Sequence, residues 1–255
     1  MKKSSLHSLI TVTASLFGVL VAVTANPLSL GSNGTQRELF IDGFIIEKMT
    51  GDVRQQLQLP EPKEVVLTTD APWEGNTCAY YTIFRDGDLF RMYYRGSHWD
   101  TATKKATHRE VTCYAESRDG VNWVKPKLGL FEFNGLKDNN IVLDGLGTHC
   151  FVAFKDENPN ARPEARYRGV SRGWPLGKTG LYIYESPDGI RWKMTQSEPV
   201  ITQGEFDSQN LAFWDARIGK YREYHRIFVD GIRAIMTATS DDFVQWSKPE
   251  LLGYQ

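Results

Sequence analysis

The chain has no surplus of either charge: 30 lysines and arginines stand against 31 aspartates and glutamates. A protein that grips nucleic-acid phosphates carries a basic excess, so that class is set aside. Cysteine is scarce, with only Cys78, Cys113 and Cys150 present. An odd count leaves at least one thiol unpaired, and the spacing is not that of a zinc site. There is no phosphate-binding glycine loop, no H-E-x-x-H and no G-x-S-x-G. Gly145-Leu146-Gly147 lacks the rest of a dinucleotide fingerprint. Beyond the first 25 residues no stretch has a helical period.

What is present is aromatic and strand-like. Aromatics make up 12% of the chain, with seven Trp and eleven Tyr. That composition suits β cores and sugar-stacking surfaces alike. Met1 to Ala25 reads as a signal peptide: Lys2 and Lys3, an apolar run from Leu9 to Val23, then small residues at Val23-Thr24-Ala25. The expectation is an exported protein, periplasmic or extracellular, with no membrane span in the mature chain. Residues 26–37 are expected to form a polar, disordered lead-in, and Glu38 to Glu47 an N-terminal strand and turn around Asp42-Gly43.

The remainder repeats itself three times. An F-x-D triplet occurs at Phe84-Arg85-Asp86, Phe154-Lys155-Asp156 and Phe213-Trp214-Asp215. Each is followed by [FY]-R-x-x-x-R, from Phe90 to Arg95, Tyr167 to Arg172 and Tyr221 to Arg226. Each then reaches S-x-D-x-x-x-W, ending at Trp123, Trp192 and Trp246. An irregular strand-built repeat of this size reads as propeller blades, at about 71–130, 140–200 and 205–255 within a domain spanning 38–255. Each F-x-D should end an inner strand, and each Trp should pack under its blade. Phe90, Met92 and Tyr94 alternate with Arg91, Tyr93 and Arg95 on opposite faces of a strand. Cys78 and Cys150 stand at matching points near first strands, where buried thiols are expected and a neighbouring pair stays open.

These repeats, with Leu39-Phe40-Ile41-Asp42, Trp73-Glu74-Gly75, Met92-Tyr93-Tyr94-Arg95-Gly96 and Asp207-Ser208-Gln209-Asn210, resemble the five-bladed β-propeller glycoside hydrolase superfamily of arabinanases, levansucrases and invertases, in an exported bacterial branch. The resemblance covers about Glu38 to Tyr254 and implies an all-β propeller that acts on an oligo- or polysaccharide. It implies catalytic carboxylates before the innermost strands, pointing into a central channel. Invertase-type N-D-P-N, R-D-P and E-C-P are absent, so roles do not transfer residue by residue.

The polar groups before the inner strands are Glu74 with Asn76, then His149, then Asp207 with Asn210. Glycoside hydrolysis needs two carboxyl groups across the scissile bond, so Asp207 and then Glu74 are the catalytic candidates. His149, Asn76 and Asn210 are candidate sugar contacts, and Trp73 and Trp99 candidate stacking platforms. Arg95, Arg172 and Arg226 end equivalent strands, suited to an anionic substrate group or to repeated blade-to-blade ion pairs. No cofactor is expected, although a structural calcium ion in the channel is compatible with the architecture. A sialidase-like propeller and a non-catalytic carbohydrate-binding propeller are the competing readings. At roughly 60 residues per blade a five-bladed ring needs about 300, so about three blades and an inactive fragment are expected from 255 residues.

Overall fold

Between the turn signals, aromatic and β-branched residues dominate, and those runs fold as strands. The computed structural model describes residue 43, residues 46–174 and residues 176–253. The expected signal peptide, the lead-in and the strand around Phe40 lie outside the described residues. The chain divides into two units, Met1–Pro62 and Lys63–Gln255. The described part of the first holds no strand or helix.

The second unit is all-β. The first sheet contains β1 (Ala79–Asp86) and β2 (Leu89–Gly96). A small ribbon of β3 (Trp99–Asp100) and β4 (Lys105–Ala106) follows. The first sheet resumes with β5 (Val111–Ser117), β6 (Trp123–Val124) and β7 (Ile141–Asp144), in the order β1-β2-β5-β6 with β7 also on β5. The second sheet is β8 (Val152–Lys155), β9 (Tyr167–Arg172), β10 (Leu181–Ser186) and β11 (Lys193–Met194). The third is β12 (Leu211–Asp215), β13 (Lys220–Val229), β14 (Ile232–Ser240) and β15 (Glu250–Leu251). Every pairing is antiparallel. The one helical turn among the described residues is the 3-10 segment Pro163–Ala165.

The sheets stack face to face. Tyr93 and Tyr114 of the first pack against Phe151, Tyr182 and Tyr184 from the second. Val152, Val170 and Ile183 of the second pack against Ala212, Tyr221 and Phe243 of the third. Met92, Tyr94 and Cys113 line the opposite face of the first sheet, under Trp73 and Phe133. β2 is therefore buried on both faces, with alternate residues feeding two cores. Each such side chain contributes about 2–3 kcal/mol by burial. Strand β8 lies beside β1 on one side and β12 on the other. Sheets that stack about their first strands are propeller blades. All three cysteines are free thiols.

The repeated motifs supply two devices. The first is a clasp at the end of each inner strand. Asp86 accepts from Arg91 Nε at 2.7 Å within its own sheet, and from Tyr167 Oη at 2.6 Å in the next. Asp156 accepts from Arg168 Nε at 2.7 Å and from Tyr221 Oη, again in the next sheet, at 2.7 Å. Burial, then the hydrogen bond to Asp156, pushes the Tyr221 phenol up to about 12, so it stays a donor. Asp215 repeats the inner half, with Arg222 Nε at 3.0 Å.

The second device is the S-x-D turn. Ser117 Oγ accepts from Gly120 N at 2.9 Å, and Asp119 Oδ1 from Asn122 N at 2.7 Å. Trp123 Nε1 then donates to Gly120 O at 3.1 Å. The same bonds recur at Ser186, Asp188 and Trp192, and at Ser240, Asp242 and Trp246. Local side-chain oxygens replace ladder bonds at each turn.

Candidate active site

The loops that precede β8 and β12 meet the ends of β2 and β9 at one mouth of the sheets. His149, just before β8, is the hub. Its Nδ1 lies 2.9 Å from Glu110 Oε2 and its Nε2 3.1 Å from Asp207 Oδ1. Asp207, just before β12, also pairs with Arg172 Nη1 at 2.7 Å. Arg95, near the end of β2, pairs with Glu110 Oε1 at 3.5 Å and donates to Thr77 O at 2.9 Å. Arg95 Nη1 is 3.2 and 3.3 Å from the two imidazole nitrogens. Both nitrogens already face carboxylate oxygens, so the guanidinium is best described as stacked on the ring rather than donating to it.

Tyr80 closes this cluster from behind. A register shift in β1 between Ala79 and Thr82 places Tyr80 at φ 57°. A left-handed tyrosine is strained, and the bulge re-aims its ring toward the mouth. The ring lies 5.0 Å from the Arg95 guanidinium and 5.4 Å from His149. Burial, then the Asp207 charge, raises its phenol above the ordinary value.

Burial alone would push the Asp207 carboxyl up. The Arg172 charge, then that of His149 and hydrogen bonds from both, outweighs it and leaves the group below its ordinary value. Asp207 is thus an ionised carboxylate, and its side chain is 58% exposed. Two indoles flank it: Trp99 at 44% exposure and Trp174 at 50%. Together with Arg95, Glu110, His149 and Arg172 they line a cleft of about 520 Å³. An ionised carboxylate, a second carboxyl group across an imidazole, and two open indoles can orient a polar ring and serve acid–base chemistry on it.

The structure brings Asp207, His149 and Arg95 together, and leaves Glu74 out. The Glu74 side chain has no exposure and pairs with Lys125 Nζ at 2.6 Å. It also accepts from the Tyr94 hydroxyl and, at 3.0 Å, from Ala71 N. A carboxylate sealed in this way cannot reach substrate; it neutralises a lysine beneath the first sheet. Trp73 is likewise buried, with Nε1 donating to Asn140 Oδ1 at 2.7 Å, and is no stacking platform. Asn210 is buried and donates to the Phe206 and Ser208 carbonyls, holding the loop that carries Asp207. Asn76 grips the backbone of Trp99, accepting from its N–H at 2.9 Å and donating to its carbonyl at 3.0 Å, so it positions an indole. Arg226 lies within β13 rather than at its end, and it lines an adjoining cleft that shares Asp207 with the first. Glu110 and Tyr80 were not among the sequence candidates. Glu110 precedes a third strand, where no repeat flags it; an acid at a strand's mouth end was the available signal. Among the described residues no three His, Cys, Asp or Glu side chains are grouped to hold a metal ion. No helix among them is long and apolar enough to cross a membrane.

No family model matches the chain. An uncharacterised protein of Mycobacterium tuberculosis is 31% identical over 121 residues, which cover 45% of this chain and 33% of that one. The chain thus matches about a third of the length of its curated relatives. Among solved structures, a fructofuranosidase from Schwanniomyces occidentalis, complexed with fructosylnystose, superposes with a TM-score of 0.48 and 13% identity, over 72% of this chain and 35% of that one. Fructan 1-exohydrolase IIa from Cichorium intybus gives 0.47 and 14%, over 71% and 32%. A glycoside hydrolase from Bacteroides ovatus, described as putative, gives 0.44 and 18%, over 68% and 49%. At these levels of identity, a reading of what this chain does rests on its own side chains.

Proposed function

We propose that the cleft over Glu110, His149 and Asp207 binds an oligo- or polysaccharide and hydrolyses a glycosidic bond, and that these three sheets suffice for it, against the inactivity expected of a three-blade fragment. One observation carries this reading: two carboxyl groups sit on opposite sides of one imidazole, beside two open indoles. Asp207, held ionised by Arg172 and His149, suits the general base or charge-stabilising role. Glu110 takes the proton donor's role, which requires substrate to release it from the Arg95 ion pair. The His149 imidazole fills the space between the two carboxyl groups. Trp99 and Trp174 offer faces to the sugar rings.

A hydrolysis screen across defined glycans tests this. Asp207→Asn should cut turnover by about a hundredfold or more while sparing binding. Full turnover by this variant would remove Asp207 from the chemistry. The ion pairs that already occupy both carboxylates favour a second reading, a binding site without hydrolysis. In that case Asp207→Asn weakens glycan affinity and no glycan in the screen is cut. A sialidase-like site draws less support, because Arg95 and Arg172 are engaged by Glu110 and Asp207.

Export belongs to this proposal and rests on Lys2, Lys3 and the apolar run before Ala25. N-terminal sequencing of exported protein should begin at Asn26; a retained Met1 would refute it.

A further inference from the structure

Three arginines occupy equivalent places in the three sheets, and two of them are engaged. Arg95 meets Glu110 and His149, and Arg172 meets Asp207. Arg226, the third, has no carboxylate partner among the described residues: its guanidinium lies 5.2 Å from the centre of the Phe228 ring, and its Nε, like that of Arg95, is buried without a hydrogen bond.

The strand register shows what differs around it. Arg95 stands opposite Thr112 in its sheet, and Glu110 lies two residues before Thr112, on the same face. Arg226 stands opposite Ile235, and the residue two before Ile235 is Arg233. The position that supplies an acid to the first sheet therefore supplies a second cation to the third. Arg233 likewise has no ion pair among the described residues, and it is exposed. Two like charges diagonal on one face repel each other. Both line a cleft of about 500 Å³ together with Tyr80, Asp207, Gln209 and Tyr224. The acid in that cleft, Asp207, is already neutralised by Arg172 and His149. The cleft thus carries two uncompensated positive charges next to the candidate catalytic carboxylate.

We infer that Arg226 and Arg233 bind an anionic group, a carboxylate or a sulfate ester, on the sugar that adjoins the one held at Asp207. The substrate class is then an acidic glycan. This rests on the glycan reading of the Asp207 cleft. Guanidinium forks match the planar carboxylate and the sulfate oxygens, and two of them on neighbouring strands can hold one anion between them. Tyr80 and Tyr224 add faces for the ring that carries it.

Titration calorimetry tests the assignment with four probes: inorganic sulfate, a sulfated oligosaccharide, a uronate oligosaccharide, and a neutral oligosaccharide of the same backbone. The protein should bind at least one acidic oligosaccharide about tenfold more tightly than the neutral one, with the advantage shrinking as salt rises. Which of the two binds identifies the ester or the carboxylate. Arg233→Gln, at an exposed position, and Arg226→Gln, checked by thermal melting, should each abolish that preference and leave neutral binding unchanged. Equal binding of acidic and neutral glycans overturns the inference and leaves the proposed function standing. So does a preference that survives in both variants. Sulfate bound through both arginines with no glycan bound supports the anion site and overturns the glycan reading. Binding of none of the four probes overturns both. An acidic side chain of another polypeptide seated between the arginines in a crystal would also overturn it.

Discussion

Phe243 occupies a backbone position that glycine holds twice elsewhere. Gly120 and Gly189 have φ of 78° and 74° in their S-x-D turns, and Phe243 has φ of 70° in the third. A bulky residue in the left-handed region is strained by about 1–2 kcal/mol. Phe243 offsets this by complete burial against Phe154, Tyr221 and Trp246. Phe243→Gly would relieve the strain and open a cavity that costs about 3–5 kcal/mol. The net expectation is destabilisation by about 2 kcal/mol, read from urea denaturation; an unchanged or raised midpoint would show that strain dominates. The turn itself was legible in the sequence because Ser, Asp and Trp act within six residues of one another. The sequence puts Phe243 where the other two turns have glycine, but its compensation was not legible, since Phe154 and Tyr221 are distant in sequence. Tyr80 was hidden for a related reason: a bulge changes which face a strand residue takes, and an apolar run does not announce one.

At the scale of the strand, the F-x-D motif fastens one sheet to the next. Asp86 carries three hydrogen bonds, from Arg91, Tyr167 and Lys155, the last at 2.7 Å. Burial would raise its carboxyl; the bonds from Lys155, Tyr167 and Arg91 outweigh burial and hold it well below the ordinary range. Its folded value is depressed, so the stabilisation is fully present above the unfolded value near 3.9 and is lost as pH falls through the folded one. Asp86→Asn should cost about 3 kcal/mol at neutral pH, because Arg91 and Lys155 lose their counter-charge. The gap between wild type and variant should narrow below about pH 4. A gap that is constant down to pH 2 would contradict a clasp made by the ionised form. The sequence exposed Asp86 and Arg91 as a recurring pair. The hydroxyl of Tyr167 was not legible as their partner, because nothing local says which sheet comes alongside.

At the scale of the whole molecule, the candidate site exists only where three sheets converge. Glu110 comes from the first, His149 and Arg172 from the second, and Asp207 from the lead into the third. Asp207 and His149 were found from sequence because both immediately precede inner strands. Glu74 satisfies the same rule but points into the first sheet's underside, where Lys125 and Tyr94 claim it. Position along the chain located the mouth; side-chain direction, set by packing, decided which acids open into it. The two glutamates therefore provide the most direct test, in specific activity per folded molecule on a glycan that the protein cleaves. Glu110→Gln should lower it by about a thousandfold. Glu74→Gln should lower the melting temperature while leaving the specific activity of the folded protein close to wild type. Full activity in Glu110→Gln, or loss of turnover in a folded Glu74→Gln, would contradict the assignment of the site to Glu110, His149 and Asp207.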